Sequence, residues 1–294
     1  MSLALSQNLD HSNSFHATSN LIDGFAEIEC SFDLNLNFCG VAIADTAPLC
    51  FTNAMLEELN RFGRMARDGN DFPFRYRVLS SRKRKIFSLG GDLAFFRSCI
   101  ERADRSAIAL YARRAVDSIW ESITASERSD MLSVSLVQGE AQGGGFEAAI
   151  AAHVLVAERG ATFGFPEGLF GLFPGMGARQ LLKARASDAT ANQLIGSARR
   201  YSAEELFEKG IVDILADDGD GWNVICDMLS AKQNLRLWRF RDRFSDITRL
   251  ALDETVEEWV AQAMSLSEKH LKTIDFLIQA QKRIKRNALT VGVA

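Results

Sequence analysis

The chain predicts an α/β fold in which short buried strands alternate with amphipathic helices, closed by a helical C-terminal region. Three observations carry this. Short apolar runs at 132–137 and 154–157 are separated by segments with helical periodicity. Glycine-rich turns, Gly90-Gly91 and Gly143-Gly144-Gly145, stand where strand-like runs pass into helix-like ones. Beyond Ser202 the chain reads as largely helical, with two long amphipathic stretches within 231–292. Strands and helices alternating at this spacing imply a layered α/β architecture.

The elements follow in order. Residues 1–22 are rich in Ser, Asn, His and Asp and show no periodicity, so they read as a loosely ordered arm. Across 25–45, Ile28, Cys30, Phe32, Leu34, Leu36 and Phe38 fall on one face at period two, a half-buried strand or hairpin. Residues 53–67 read as a helix, with Met55, Leu59, Phe62 and Ala66 at spacings of three and four. Strand material at 75–79 and 85–87 leads into the turn Ser88-Leu89-Gly90-Gly91-Asp92. A long helix over 104–126 buries Ile108, Tyr111, Ala115 and Ile119. The strand 132–137, the loop Gly139-Glu140-Ala141-Gln142, a helix entered through Gly143-Gly144-Gly145 and the strand 154–157 complete the alternation. The expected organisation is an arm at 1–22, a core at 23–215 and a helical region at 216–294.

Composition excludes several functions. The 294 residues are 47% hydrophobic and 24% charged, ordinary for a folded soluble domain with a sizeable core. Net charge is −4, which gives no electrostatic case for nucleic acid. The N-terminal stretch lacks both a basic region and a long apolar run, so no signal peptide is expected. The most apolar stretch, 148–157, is interrupted by His153 and is too short to insert in a membrane. Cys30, Cys39, Cys50, Cys99 and Cys226 are odd in number and lack CxxC spacing, which fits reduced thiols in a cytoplasmic protein. Neither a metal nor a cofactor is expected.

Three segments carry candidate chemistry. In Gly143-Gly144-Gly145-Phe146-Glu147, glycines at a strand-to-helix junction leave backbone N–H groups open to a ligand. The start of a helix adds orphan donors and partial positive charge, suited to an oxygen gaining negative charge. Glu147 lies three residues after Gly144 and projects to the same side. Taken alone, the glycines equally suit close helix packing. Phe163-Gly164-Phe165-Pro166-Glu167 sets a second carboxylate in an apolar run that continues through Leu169, Phe170, Leu172 and Phe173. Such surroundings raise a carboxyl pKa toward neutrality, as general acid work requires. The turn around Leu89 and Gly91 offers a second N–H donor, and Asp92 is placed to cap the next helix.

The segments FSLGGDL, VQGEAQGGGFE, FGFPEGLFGLFPGMGA and YSAEELFEKGIVD together resemble the crotonase (enoyl-CoA hydratase/isomerase) superfamily. The wording is most similar to the synthases of diffusible signal factor, the cis-2-unsaturated fatty acid signals of bacterial quorum sensing. The resemblance implies a crotonase-type β/α spiral of repeated ββα units. It makes Gly91 and Gly144 the oxyanion donors and Glu147 and Glu167 the acid/base pair. Read from the residues themselves, Leu89, Phe165, Leu169, Phe170, Leu172 and Phe173 suit either an acyl site or the core, and Met176 suits a turn-and-core position more than a ligand contact.

It further implies a dehydratase and thioesterase that converts a 3-hydroxyacyl thioester on acyl carrier protein, or on coenzyme A, to a free cis-2-enoic acid. An ordinary enoyl-CoA hydratase shares both glutamates and is the enzyme alternative. A binding scaffold that holds a cognate sensor kinase is the alternative of another class. Relatives commonly form trimers or dimers of trimers, and the amphipathic stretch 255–284 offers an apolar face for a homo-oligomer. The basic run Arg82-Lys83-Arg84-Lys85 suits either a carrier's phosphate and acidic helix or a solvated loop. His153 reads as a packed core histidine.

Overall fold

A computed structural model describes residues 24–68, 74–83, 85–129, 131–230 and 237–291. The described chain opens on a hairpin of β1 (Ile28–Asp33) and β2 (Phe38–Ile43), then passes through α1 (Asn53–Asp68). A two-strand step then repeats. β3 (Tyr76–Ser81) and β4 (Lys85–Ser88) precede α2 (Leu93–Glu101), α3 (Arg105–Ile123) and the short α4 (Ala125–Ser129). β5 (Leu132–Val137) and β6 (Gly139–Gln142) precede α5 (Gly144–Ile150). β7 (Val154–Glu158) and β8 (Thr162–Gly164) lead to a 3₁₀ turn at Glu167–Phe170, α6 (Ala178–Arg185) and α7 (Asp188–Gly196). β9 (Arg200–Ser202), α8 (Ala203–Glu208), β10 (Ile214–Ala216) and α9 (Gly221–Leu229) follow, and α10 (Arg249–Met264) and α11 (Glu268–Val291) end the described chain.

In each step the first strand joins one sheet and the second joins another. The larger sheet has the order β1-β2-β3-β5-β7-β10, and the smaller has β4-β6-β8-β9. This is the repeated ββα spiral. Strands β2, β3, β5, β7 and β10 are parallel, with β1 antiparallel at the edge. A parallel sheet covered on both faces favours continuous apolar strands, and β5 and β7 are buried at every position. Among the described residues no helix is long and apolar enough to cross a membrane.

Several expectations are corrected here. The period-two run does not continue through Leu34, which is 52% exposed. Asp33 Oδ1 accepts the N–H groups of Asn35 and Leu36, and Asn37 takes a left-handed conformation, so the run is cut by a tight turn. The long helix stops at Thr124, whose hydroxyl donates back to Trp120 O at 2.7 Å. Residues 139–142 form a strand, because β4 and β8 pair with them on either side. Helix α2, between the first glycine turn and α3, was not separated from its surroundings by periodicity. The region after Ser202 includes the strand β10 as well as helices. The residues assigned to the N-terminal arm lie outside the described residues.

The stretch 255–284 is two helices with a break at 265–267, and their apolar faces turn largely into the chain's own core. Val256, Val260, Ala263 and Ile274 are fully buried, while Phe276 points outward.

Candidate active site

The two glycine turns are backed against each other. Gly90 has φ +92°, and a Cβ there would lie 2.9 Å from Gln142 O and 3.2 Å from Gly144 N. Gly143 has φ +52°, and a Cβ there would overlap Glu167 Oε1. Only glycine meets both the backbone angle and the close approach. Gly144 follows at the start of α5, where a Cβ would sit 3.7 Å from Gly91 N. Neither the Gly91 nor the Gly144 amide donates to a backbone acceptor in the described turns. The first turn is anchored from below: Tyr111 Oη donates to Phe51 O at 2.5 Å and accepts from Asp92 N–H at 3.2 Å. Asp92 caps α2 by accepting from Phe95 N–H.

Glu147 stands one turn into α5 and is 1% exposed. Its Oε1 accepts the N–H groups of Met176 at 2.7 Å and Ala178 at 3.0 Å, which ties α5 to the Pro174–Ala178 turn. Glu167 begins the 3₁₀ turn and is also buried, with Oε2 lacking a hydrogen-bond partner. Burial pushes the Glu147 carboxyl up to about 7, against the pull of its two amide donors. Burial first, and the neighbouring Glu147 charge second, push Glu167 up to about 8. The charge of Glu147 acts on Glu167, so the two carboxyls titrate as a pair, and burial keeps protons on the pair into the neutral range.

Both groups bind protons more tightly folded than unfolded. Each therefore contributes stability that is complete below about 4.5, its ordinary value, and is lost as pH rises through 7 to 8. Glu167→Gln is expected to raise the melting temperature by several degrees at about pH 9 and to leave it nearly unchanged at about pH 4. Parallel melting curves across that range would refute the assigned burial of the charge.

Both glutamates and both glycines line one apolar cavity of about 270 Å³. Leu89, Leu169, Phe170, Leu172 and Met176 line it as well. Phe165 and Phe173 do not. Phe165 is 1% exposed and stacks on Phe146 with ring centroids 4.7 Å apart, and Phe173 packs half-buried against the core. Sequence reasoning missed Phe96 on α2, Trp259 on α10, and Leu277, Ala280, Gln281 and Ile284 on α11. The α11 residues recur at helical spacing, but periodicity alone does not say which surface such a face covers. An Arg97–Asp275 ion pair at 3.2 Å joins α11 to α2 beside the cavity.

The basic run is not a row of free cations. Lys83 is buried and its Nζ donates to the carbonyls of Ala44, Asp45 and Ala47 at 2.6–2.7 Å, holding the loop after β2. Arg82 pairs with Glu29 at 3.0 Å, and Arg84 lies outside the described residues. His153 is fully buried in the turn after α5, within 3.1 Å of Ser126 Oγ and 2.7 Å of Ser133 Oγ, a packed histidine.

A two-sheet ββα spiral enclosing one cavity between paired glycine turns defines a crotonase-fold protein. The chain belongs to the enoyl-CoA hydratase/isomerase family, which it matches over residues 47–220. It is 32% identical over 134 residues to a probable enoyl-CoA hydratase of Bacillus subtilis (strain 168), covering 46% of this chain and 49% of that protein. It is 26% identical over 186 residues to the probable mitochondrial enoyl-CoA hydratase 2 of Arabidopsis thaliana, covering 62% of this chain and 56% of that protein. The matched segment thus spans about half the length of these curated relatives.

Among solved structures, an enoyl-CoA hydratase from Mycobacterium avium subsp. paratuberculosis superposes with a TM-score of 0.67 at 19% identity, covering 87% of this chain and 97% of that one. Pseudomonas aeruginosa DspI superposes at 0.62 with 21% identity, covering 90% and 96%. At these identities the structures share the fold.

Proposed function

We propose that the chain dehydrates a 3-hydroxyacyl thioester to the 2-enoyl thioester, with the reverse hydration available at the same site. The observation that carries this is the pair of buried glutamates in one apolar cavity with two unengaged glycine amides. One carboxylate takes a proton from C2, and the electron pair moves toward the thioester oxygen. The N–H groups of Gly91 and Gly144 hold that oxygen as it gains charge. The C3–O bond breaks as the other, protonated carboxyl gives its proton, and water leaves. A pair of carboxyls that can hold one charged and one neutral group in the neutral range suits both steps.

The resemblance of the motifs to those of the diffusible signal factor synthases extends this proposal. The substrate is then a medium or long 3-hydroxyacyl chain on acyl carrier protein, and water attacking the thioester carbon releases the thiol and a free cis-2-enoic acid. The same glycine amides serve the tetrahedral intermediate. Assembly as trimers or dimers of trimers, and docking of a sensor kinase, belong to the same proposal. The alternative of an ordinary hydratase is favoured by the relatives named as enoyl-CoA hydratases.

Incubation with a 3-hydroxyacyl carrier-protein thioester, followed by identification of the product, separates the readings. Free cis-2-enoic acid is expected. A trans-2-enoyl thioester still on its carrier would replace the signal synthase with the hydratase. No turnover of any thioester, with a partner protein still bound, would leave the scaffold.

A further inference from the structure

Strand β6 contributes more to the cavity than its backbone. Glu140 and Gln142 are two residues apart on that strand, so both side chains emerge on one face, and both line the cavity. Glu140 is engaged by Arg200, which reaches it at 2.5 Å from β9. Gln142 is 8% exposed, and its Nε2 has no hydrogen-bond partner. The amide is packed close against β8, where a Cβ on Gly164 would lie 3.0 Å from Gln142 Oε1. Any larger residue at 164 would press on it.

Among the described residues, only two cavity-lining side chains hold a buried polar atom without a partner: Gln142, through Nε2, and Glu167, through Oε2. They flank Gly143, the residue next to Gln142 in the chain and the one whose missing Cβ makes room for the Glu167 carboxyl. A buried amide donor without an acceptor costs free energy, so an unpartnered donor on a cavity-lining side chain points to an oxygen partner that a ligand can supply. In the proposed reaction the thioester oxygen is taken by the Gly91 and Gly144 amides. The oxygen left for Gln142 is one that also meets the glutamates.

We propose that Gln142 is a positioning and specificity residue, whose Nε2–H donates to the C3 oxygen of the substrate, the hydroxyl that departs as water. The inference rests on the dehydratase reading above and identifies the group that recognises the 3-hydroxyl. In the forward direction the amide holds the hydroxyl toward the carboxyl that protonates it. In the reverse direction it holds the attacking water in the same place. It forms and breaks no covalent bond.

The test measures binding in the Glu147→Gln background, where turnover is blocked, with phosphopantetheine thioesters, the group that coenzyme A and acyl carrier protein share. Two ligands of equal chain length are compared, one saturated and one bearing a 3-hydroxyl. The parent is expected to prefer the hydroxylated ligand by about tenfold, because a site built for a hydroxyl rejects the analogue lacking it. Gln142→Leu is expected to bring the two ligands within about twofold, with most of the change in the hydroxylated one. Gln142→Met, closer in length, repeats the measurement if the leucine variant melts early. Full preference for the hydroxylated ligand in either folded variant would overturn the role of Gln142 alone. Failure of the parent to bind either thioester would overturn the dehydratase reading and this inference together.

Discussion

Replacing either Glu147 or Glu167 by glutamine is expected to lower dehydration by about 10²-fold or more while the chain stays folded. Glutamine keeps the size of the side chain and an oxygen acceptor. At position 147 that oxygen still accepts from Met176 and Ala178 N–H, so the link between α5 and the following turn survives. Only the capacity to exchange a proton is lost. Removing the buried acid has no structural penalty of its own, because neither group has a cationic partner among the described residues and both carboxyls are pushed up by burial. The double variant is expected to lose little more than the worse single one, since the two act on one proton inventory. Single-turnover rates with a 3-hydroxyacyl thioester measure this directly. A variant within a few-fold of the native rate would remove that glutamate from the chemistry.

The largest expected effect on stability lies behind the site. Arg185→Ala is expected to destabilise the fold by about 3 kcal/mol, because three buried carbonyls lose a charged hydrogen-bond donor at about 1 kcal/mol or more each. Arg185 is buried and donates to Ile150 O and Ile211 O at 2.8 Å, to Ala152 O, and to Asp213 Oδ2 at 2.9 Å. Burial works to raise the Asp213 carboxyl, but Arg185 and Arg243 outweigh it and hold it below its ordinary range.

The alanine variant leaves three buried carbonyls without this donor and leaves Asp213 with Arg243 and the Leu155 amide. Ile150 ends α5, the helix that carries Gly144 and Glu147, so loosening here is transmitted to the site. Denaturant unfolding of both proteins gives the difference, and a loss under about 1 kcal/mol would show that the network is dispensable. The depressed Asp213 contributes stability that is present above its unfolded pKa and lost as pH falls through its folded one. The difference between native and variant is therefore expected to narrow in acid.

The sequence displayed the candidate centre more fully than its walls. Gly143, Gly144 and Glu147 are adjacent in the chain, so their helical geometry is local, and a carboxylate such as Glu167 amid phenylalanines is conspicuous wherever it falls. Phe165 and Phe173 belong to the same phenylalanine-rich segment as the lining residue Phe170, yet side-chain direction takes them away from the cavity. Lys83 looked like one of four free cations because the carbonyls that receive it lie at 44–47, remote in sequence. Gln142 was passed over as part of a loop, since Gly-Glu-Ala-Gln has little strand character until β4 and β8 pair with it.

The amino-acid order by itself determined the strand and helix alternation, the glycine turns and the identity of the two glutamates. These follow from periodicity, from backbone angles open to glycine, and from the cost of burying charge, all properties of short segments. The tertiary structure alone decided that Gly91 meets Gly144 across two turns and that Glu167 fills the space left by Gly143. It also decided that α11 closes the cavity with Leu277 and Ile284. Those facts depend on which surfaces pack together over long sequence separations, and a helix face or an apolar run does not encode its partner.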